Sequence, residues 1–456
     1  MYKKDIYESS DETKCAQIRF FSDEYKEFIN KAKTERMAVN EIEKLAQAHG
    51  FKNANLFQNF KQGDRIYFTN RGKNILLFKL GGDITSGMKM LCAHIDAPRL
   101  DLKQNPVIES DGFTLFDTHY YGSIKNYQYV TIPLEIHGIV CKTDGRNVEI
   151  NIGDDVNDPV IGISDLLVHL SYDQMQKAGN KIIESEDLDV LIGTSPYKKP
   201  NDKPDGGKNC YISKLINEKY NISEEDYISA EIEIVPAFPA RDFGLDRTMI
   251  AGYGQDDRAC VFASMRAMFD AEMPETTACV MFVDKEEIGC FGATSAESHF
   301  LENSVLEILD KCGKASLIDF KRTFQNSQML SCDVTAALDP IYSGVSDKNN
   351  CAKFNHGIAF EKYLGYGGKC GTNDASPEYI AKLRQIIEKN KIHYQTAEFG
   401  RVDQGGAATI SYIAARYNMD VVDCGIPILN MHSPMEIISK ADLYEAYMFY
   451  KAFLQD

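Results

Sequence analysis

The chain has 456 residues and a formal net charge of −17 at pH 7, so neither nucleic acid nor an anionic membrane surface is an expected partner. Hydrophobic residues make up 44% and charged residues 26% of the sequence, which is the composition of a soluble protein with a sizeable core. The length predicts two or three domains, or one domain with a large insertion.

The twelve cysteines are scattered and form no C-x-x-C pair, which argues against a zinc ribbon or a thioredoxin-like motif. Several, including Cys92, Cys279 and Cys332, lie in or beside apolar runs and are interpreted as small core residues. Free thiols in this number fit a reducing compartment. The chain opens on a polar stretch, and no apolar run is long enough to span a bilayer. We therefore expect a cytoplasmic protein.

The first part of the chain predicts helices followed by a β-hairpin. Apolar residues recur at helical spacing over residues 25–48. Residues 65–68 and 75–78 predict paired strands around a turn that contains glycine. A buried strand over residues 90–93 then leads directly to His94.

The pattern changes between residues 100 and 235, where alternating segments at 129–136 and 148–152 predict antiparallel strands. Within the same region, Ser164 is a candidate N-cap for a helix that carries His169. We interpret residues 100–235 as a β-rich insertion.

From residue 236 onward, strands and amphipathic helices alternate, which is typical of an α/β fold. The predicted strands are 278–283, 315–319 and 421–424, and the predicted helices are about 257–270, 377–389 and 405–417. The domain prediction is therefore a discontinuous catalytic domain, residues 1–99 and 236–456, interrupted by the insertion.

Five polar segments each lie at the end of an apolar run or at the start of a helix. They are His94-Ile95-Asp96, Gln255-Asp256-Asp257-Arg258, Glu286-Glu287, Cys332-Asp333 and Met431-His432-Ser433. Since open α/β sheets keep their sites at the carboxyl ends of strands, we expect these segments to converge. Two imidazoles with several carboxylates suit Zn²⁺, Co²⁺ or Mn²⁺ better than an ion that prefers thiolates.

The available groups divide as a two-metal site requires, with one bridging carboxylate and separate ligands for each ion. Asp256 is the expected bridge. His94 and Asp333 are expected to complete the first metal site. Glu287 and His432 are expected to complete the second.

Glu286 is then left as the general base for the attacking water. Asp96 is expected to hold the ring of His94 in the tautomer that binds a metal.

Taken singly, each of these residues has an ordinary structural explanation. A histidine at a strand end is more often a hydrogen-bonded rim residue than a ligand, and an Asp-Asp pair before a helix is more often an N-cap. Asp333 could be a turn residue and His432 a loop residue. Only their joint placement at successive strand ends favours the metal site.

These motifs resemble those of the aspartyl aminopeptidase family of dinuclear zinc exopeptidases. The stretch at residues 94–103 is similar to the family's first-ligand signature. Residues 255–258, 285–289 and 431–433 match the later signatures in order, with Cys332-Asp333 before the last of them. The resemblance covers nearly the whole chain.

The resemblance implies a three-layer catalytic domain, in which a central mixed sheet is flanked by helices, and an inserted β-rich dimerisation domain. It also implies the ligand division given above, with two zinc ions and with Glu286 as the base. Dimers are expected to assemble into a tetrahedral dodecamer with an enclosed interior that admits short peptides.

Two further residues follow from the resemblance. Relatives in this family bring a histidine from the partner's dimerisation domain to the active site, and His169 is the candidate here; the alternative is an ordinary helix histidine at a dimer contact. A preference for acidic substrates needs a cation near the substrate side chain. Lys369, in a glycine-rich stretch, is the candidate, and an exposed loop lysine is the alternative.

The expected activity is release of one N-terminal residue, Asp or Glu, from peptides. Three alternatives remain open: an aminopeptidase for neutral N-terminal residues, a two-metal deacylase or carboxypeptidase-like amidohydrolase, and a non-enzymatic shell protein. The last ranks lowest because all five ligand candidates and the base are present.

Overall fold

The structure is a computed structural model that describes residues 4–195, 211–365, 367–407 and 409–456. Within these ranges the α-helices are α1 (Ile6–Ser9), α2 (Glu12–Lys31), α3 (Glu35–Ala48), α4 (Tyr211–Tyr220), α5 (Gln255–Asp270), α6 (Phe300–Lys311), α7 (Leu317–Gln325), α8 (Pro377–Asn390), α9 (Ser411–Ala415) and α10 (Lys440–Gln455). None of these helices has both the length and the apolar character needed to cross a membrane.

The same ranges contain twenty β-strands. They are β1 (Lys52–Asn53), β2 (Arg65–Asn70), β3 (Asn74–Lys79), β4 (Met88–His94), β5 (Arg99–Ser110), β6 (Phe113–Tyr121), β7 (Leu134–Cys141), β8 (Asn147–Ile152), β9 (Val190–Gly193), β10 (Ala230–Pro236), β11 (Arg241–Phe243), β12 (Met249–Gly252), β13 (Thr277–Val283), β14 (Gln328–Ser331), β15 (Thr335–Ala336), β16 (Ile358–Glu361), β17 (Tyr394–Thr396), β18 (Asp420–Gly425), β19 (Pro427–Leu429) and β20 (Glu436–Ser439).

The chain divides into two compact units. The first comprises Met1–Ala97, Pro239–Met431 and Met435–Asp456, and the second comprises Pro98–Phe238 and His432–Pro434. That the insertion serves dimerisation remains a prediction.

The first unit is organised around a nine-stranded mixed sheet with the order β1-β2-β3-β13-β4-β14-β18-β16-β17. Its four central strands, β13, β4, β14 and β18, are mutually parallel. Val283 at the end of β13 pairs with His94 at the end of β4, and Ser331 at the end of β14 pairs with Cys92. The carboxyl ends of these strands therefore lie along one edge of the sheet.

Both faces of this sheet are buried. In β13, Ala278, Val280 and Phe282 join the core formed with helices α2, α3, α5, α8 and α10. The alternate residues Cys279 and Met281 join a second core formed with α6, α7 and α9. Because successive side chains of a strand point to opposite faces, helices must cover both sides. The predicted α/β fold, with a central mixed sheet flanked by helices, is confirmed.

A smaller five-stranded sheet with the order β11-β12-β20-β19-β15 completes the first unit. The second unit is built on a six-stranded antiparallel sheet with the order β8-β7-β10-β5-β6-β9. Its core includes Leu100, Phe116, Tyr129, Leu134 and Ile234.

The predicted strand at residues 315–319 is wrong, because these residues enter helix α7. The hydroxyl of Ser316 caps this helix by accepting the backbone N–H of Asp319 at 3.1 Å. Phe320 and Phe324 are buried, whereas Leu317 is exposed. The short apolar run was misleading because Leu317 and Ile318 both face solvent and belong to no buried stripe.

The helix predicted after Ser164 is also wrong. The chain there forms a single 3₁₀ turn, Val168–Leu170, which begins after Leu167. Helix α9 spans only Ser411–Ala415, within the longer helix predicted at residues 405–417.

One buried cation links the sheet to helix α5. The ammonium group of Lys79 on β3 donates to the backbone oxygens of Phe269 (3.3 Å) and Ala271 (2.5 Å) at the carboxyl end of that helix. Lys79 is fully buried, and burial lowers its pKa from 10.5 to about 8, with nearby Arg65 contributing in the same direction.

This pKa predicts how stability changes with pH. Between pH 8 and 10.5 the unfolded chain binds the proton that native Lys79 has released, so Lys79 contributes increasing stability as the pH rises. We expect the free energy of unfolding of the wild type, relative to Lys79→Met, to rise by about 2 kcal/mol from about pH 7.5 to 9.5. Denaturant titrations at the two pH values measure it, with exposed Lys52→Met as the control; parallel curves for wild type and Lys79→Met would contradict the assignment.

Candidate metal centre

His94 ends strand β4 and is almost completely buried. Its Nδ1 lies 3.0 Å from the backbone oxygen of Asp96, so Nδ1–H donates to that carbonyl. Its Nε2 faces Oδ1 of Asp256 at 3.0 Å and Oδ1 of Asp333 at 3.9 Å. A histidine whose Nδ1 proton is held by a carbonyl presents Nε2 to a cation.

Asp256 lies at the start of helix α5, where the backbone is not yet helical. Gly254 occupies the N-cap in the left-handed region with φ 67°, and regular helical angles begin only after Asp257. The Asp256–Asp257 peptide is cis. This irregular first turn carries the carboxylate of Asp256 to the imidazole of His94.

Asp333 follows strand β14 by two residues and is partly buried. Its backbone passes so close to Gly425 at the end of β18 that a Cβ on Gly425 would lie 1.6 Å from the carbonyl oxygen of Asp333. Only a glycine permits this approach. The ligand atoms of His94, Asp256 and Asp333 all lie within 4.8 Å of one another.

Glu286 and Glu287 occupy a 3₁₀ turn directly after β13, entered through Lys285 at φ 70°. Their backbone N–H groups donate to the two carboxylate oxygens of Asp96, at 3.3 Å for Glu286 and 3.2 Å for Glu287. A carboxylate oxygen of Glu287 lies within 4.8 Å of one from Asp256. Asp96 therefore fixes the backbone of both glutamates, a contact that the sequence alone did not predict.

The electrostatics of this group favour a bound cation. Burial opposes protonation of His94, but hydrogen bonds with Asp256 and Asp96 raise its pKa well above 6.5. Burial, together with repulsion from neighbouring carboxylates, raises the pKa of Asp333 and of Asp257 well above 3.8. Several buried carboxylates thus share one imidazole, and such a site is satisfied by a positive ion.

The donor chemistry fits zinc. One imidazole nitrogen with carboxylate oxygens is a ligand set that Zn²⁺ accepts, and the donors converge at the carboxyl edge of the sheet. Among the described residues, the position, the burial and the charge of these donor groups therefore all fit a zinc ion.

His432 belongs to the second unit. Its Nδ1 lies 2.9 Å from the backbone oxygen of Ser123, the same kind of contact that orients His94. Its backbone is in the left-handed region with φ 65°.

The two residues predicted for substrate contact are both exposed. The ammonium group of Lys369 lies 3.0 Å from Oδ2 of Asp374 and 3.8 Å from the ring centroid of Tyr363. His169 lies in the 3₁₀ turn Val168–Leu170. Their substrate roles remain predictions.

Two residues important to the centre had no predicted role. Gly425 ends an apolar strand, and nothing in the sequence signals its contact with Asp333. Glu436 is a buried acidic residue that precedes Ile437-Ile438 in strand β20. A carboxylate in an otherwise apolar strand is a signal that could have identified it.

The close approach at Gly425 gives a testable consequence. Gly425→Ala must displace the backbone of Asp333, so we expect a loss of about 1–3 kcal/mol of stability and weaker metal binding. Thermal unfolding and zinc titration of the full chain measure both. Gly344→Ala is the control because its Cβ would meet no atom within 4 Å. Unchanged zinc affinity in Gly425→Ala would contradict the assignment of Asp333.

Comparisons with known proteins identify the family. Residues 28–454 match the family model of the aminopeptidase I zinc metalloproteases, M18. The chain is 48% identical over 458 residues to a protein of Clostridium acetobutylicum named probable M18 family aminopeptidase 1, covering 99% of this chain and 98% of the relative. An M18 aminopeptidase crystal structure from Thermotoga maritima, 42% identical, superposes with a TM-score of 0.95 and covers 100% of this chain and 99% of that one.

The mApe1 dodecamer of S. cerevisiae shares the fold at 22% identity, with a TM-score of 0.76 over 94% of this chain and 95% of that one. The predicted resemblance to a zinc aminopeptidase family is confirmed. The chain belongs to the M18 family of zinc metalloaminopeptidases.

Proposed function

We propose that this aminopeptidase releases a single N-terminal Asp or Glu from peptides, using two metal ions and a glutamate base. The observation that carries the proposal is the buried cluster of His94, Asp256 and Asp333 at the carboxyl edge of the sheet. The glutamate pair held by Asp96 supports it from the neighbouring strand.

Two divalent ions are proposed, zinc or alternatively cobalt or manganese. His94 and Asp333 would hold one, Glu287 and His432 the other, and Asp256 would bridge them. When bound, such ions polarise a substrate carbonyl and lower the pKa of water toward neutrality.

Glu286 is the proposed base. Its backbone N–H is tied to Asp96, whose carboxylate also lies 3.3 Å from Nδ1 of His94. The side chain of Glu286 would take a proton from the attacking water and return it to the leaving amine. Asp96 would keep Glu286 in position relative to His94.

Replacing the base should separate chemistry from metal binding. Glu286→Gln keeps the size of the side chain but cannot accept a proton, so we expect kcat to fall by about 10²–10⁴-fold while the metal content stays at the wild-type level. Metal analysis and steady-state kinetics measure this, with exposed Glu272→Gln as the matched control. Full hydrolysis by a metal-loaded Glu286→Gln would exclude it as the base.

Lys369 is proposed to recognise the acidic side chain, supported by its position on the exposed loop beside Tyr363 and Asp374. Recognition would require Lys369 to exchange Asp374 for the substrate carboxylate. Lys362 also binds Asp374, at 2.7 Å, and so offers a matched comparison.

The substrate preference is tested by kcat/KM on aminoacyl-anilides of Asp, Glu, Leu and Lys, with an N-blocked Asp substrate. We expect free Asp or Glu to be preferred, and Lys369→Ala to reduce that preference about tenfold or more while Lys362→Ala does not. Preference for Leu would indicate an aminopeptidase for neutral residues. Activity on the blocked substrate alone would instead indicate a two-metal deacylase.

We further propose that residues 1–99 and 236–456 are the catalytic domain and that residues 100–235 mediate dimerisation. Exposed apolar side chains in the second unit support a protein contact: Leu166, Leu167, Val168, Leu170, Tyr172 and Met175. His169 lies among them and would reach a partner's active site.

The S. cerevisiae dodecamer supports assembly into a tetrahedral dodecamer. The described cysteines form no disulfide with one another, which supports a cytoplasmic location.

A further inference from the structure

The carboxylate of Glu436 on β20 accepts hydrogen bonds from the irregular first turn of helix α5. Its Oε2 accepts the backbone N–H of Gln255 at 2.7 Å and of Asp256 at 3.2 Å. Glu436 is almost completely buried, and on β20 it pairs in register with Gly252 on β12. The strand pairing thus places the carboxylate beside the turn that opens the helix.

The amides of this first turn need an external acceptor. The first N–H groups of a helix have no intrahelical acceptor, and the N-cap side chain usually supplies one. Here the N-cap is Gly254, which has no side chain. Glu436 supplies a charged acceptor in its place.

The side chain of Gln255 strengthens the same connection. Its Nε2 donates to the backbone oxygen of Glu436 at 2.7 Å and of Ile250 at 3.2 Å. Its Oε1 accepts the hydroxyl of Tyr25 at 3.3 Å. Two hydrogen bonds therefore join Gln255 to Glu436, and the amide of Asp256 donates a third to the same carboxylate.

We propose that Glu436 is a positioning residue that fixes the backbone of Asp256 and so sets the geometry of the metal centre. Glu436 is not one of the proposed metal ligands. It acts through the N–H of Asp256, whose carboxylate lies 3.0 Å from His94. The inference rests on the proposed two-metal site.

The test is zinc affinity, measured on the full-length protein by titration against a competing chelator after metal removal. Glu436→Gln keeps a carbonyl acceptor but loses the charge, and Glu436→Ala loses the cap. We expect zinc affinity to fall about 10-fold in the first and up to about 100-fold in the second. Cobalt loading gives an independent readout, because its absorption spectrum reports the ligand geometry.

The matched control is Asp442, which is also buried and also accepts two backbone N–H groups. Its carboxylate binds the N–H of Asn355 at 2.8 Å and of Gly357 at 2.7 Å, and neither is a proposed ligand. Asp442→Asn and Asp442→Ala should lower the melting temperature and keep the wild-type zinc affinity.

Two results would overturn the inference: wild-type zinc affinity in both Glu436 variants, or an equal loss in the Asp442 variants at matched melting temperature. If Glu436→Ala fails to fold, the zinc affinity of Glu436→Gln is compared with that of Asp442→Asn, and this comparison tests the inference. A wild-type protein that binds fewer than two ions would instead contradict the proposed two-metal function. The role of Glu436 would then be decided by the affinity of its variants for the single bound ion.

Discussion

Several carboxylates of the first unit lie close to a single buried imidazole, that of His94, and their charges require compensation. Asp256 and Asp333 face the ring, and Asp257 is buried beside them. Water cannot solvate these charges in the interior, so either a cation or protons must compensate them. Membership in a zinc metalloprotease family makes a metal ion the natural compensation.

The candidate site residues are held largely through contacts that involve their backbones. Asp96 accepts the amides of Glu286 and Glu287, Glu436 accepts the amide of Asp256, and Gly425 leaves room for the carbonyl of Asp333. A residue held through its backbone keeps its position while its side chain remains available, as the proposed metal site requires. Positioning of this kind is the usual requirement for a site that must act without reorganising.

Much of the centre was predictable because parallel strands end at one edge. An apolar run followed by a polar residue predicts where that residue lies, whatever the exact register, so His94 and Glu286 could be placed from local pattern alone. The strand predicted at residues 315–319 failed because a short apolar run does not distinguish a strand from the exposed start of a capped helix. Here the hydroxyl of Ser316 accepts the backbone N–H of Asp319 and stabilises the start of the helix.

By itself, the sequence determined the fold class and the family and indicated the candidate site residues, because periodicity and motif order are local properties. The tertiary structure alone decided which backbone amide each carboxylate binds. Glu436 and Asp256 are 180 residues apart, and Gly425 contacts Asp333 from a neighbouring strand. Such pairings depend on strand order and register, which follow from the packing of the whole unit and leave no local signal in the chain.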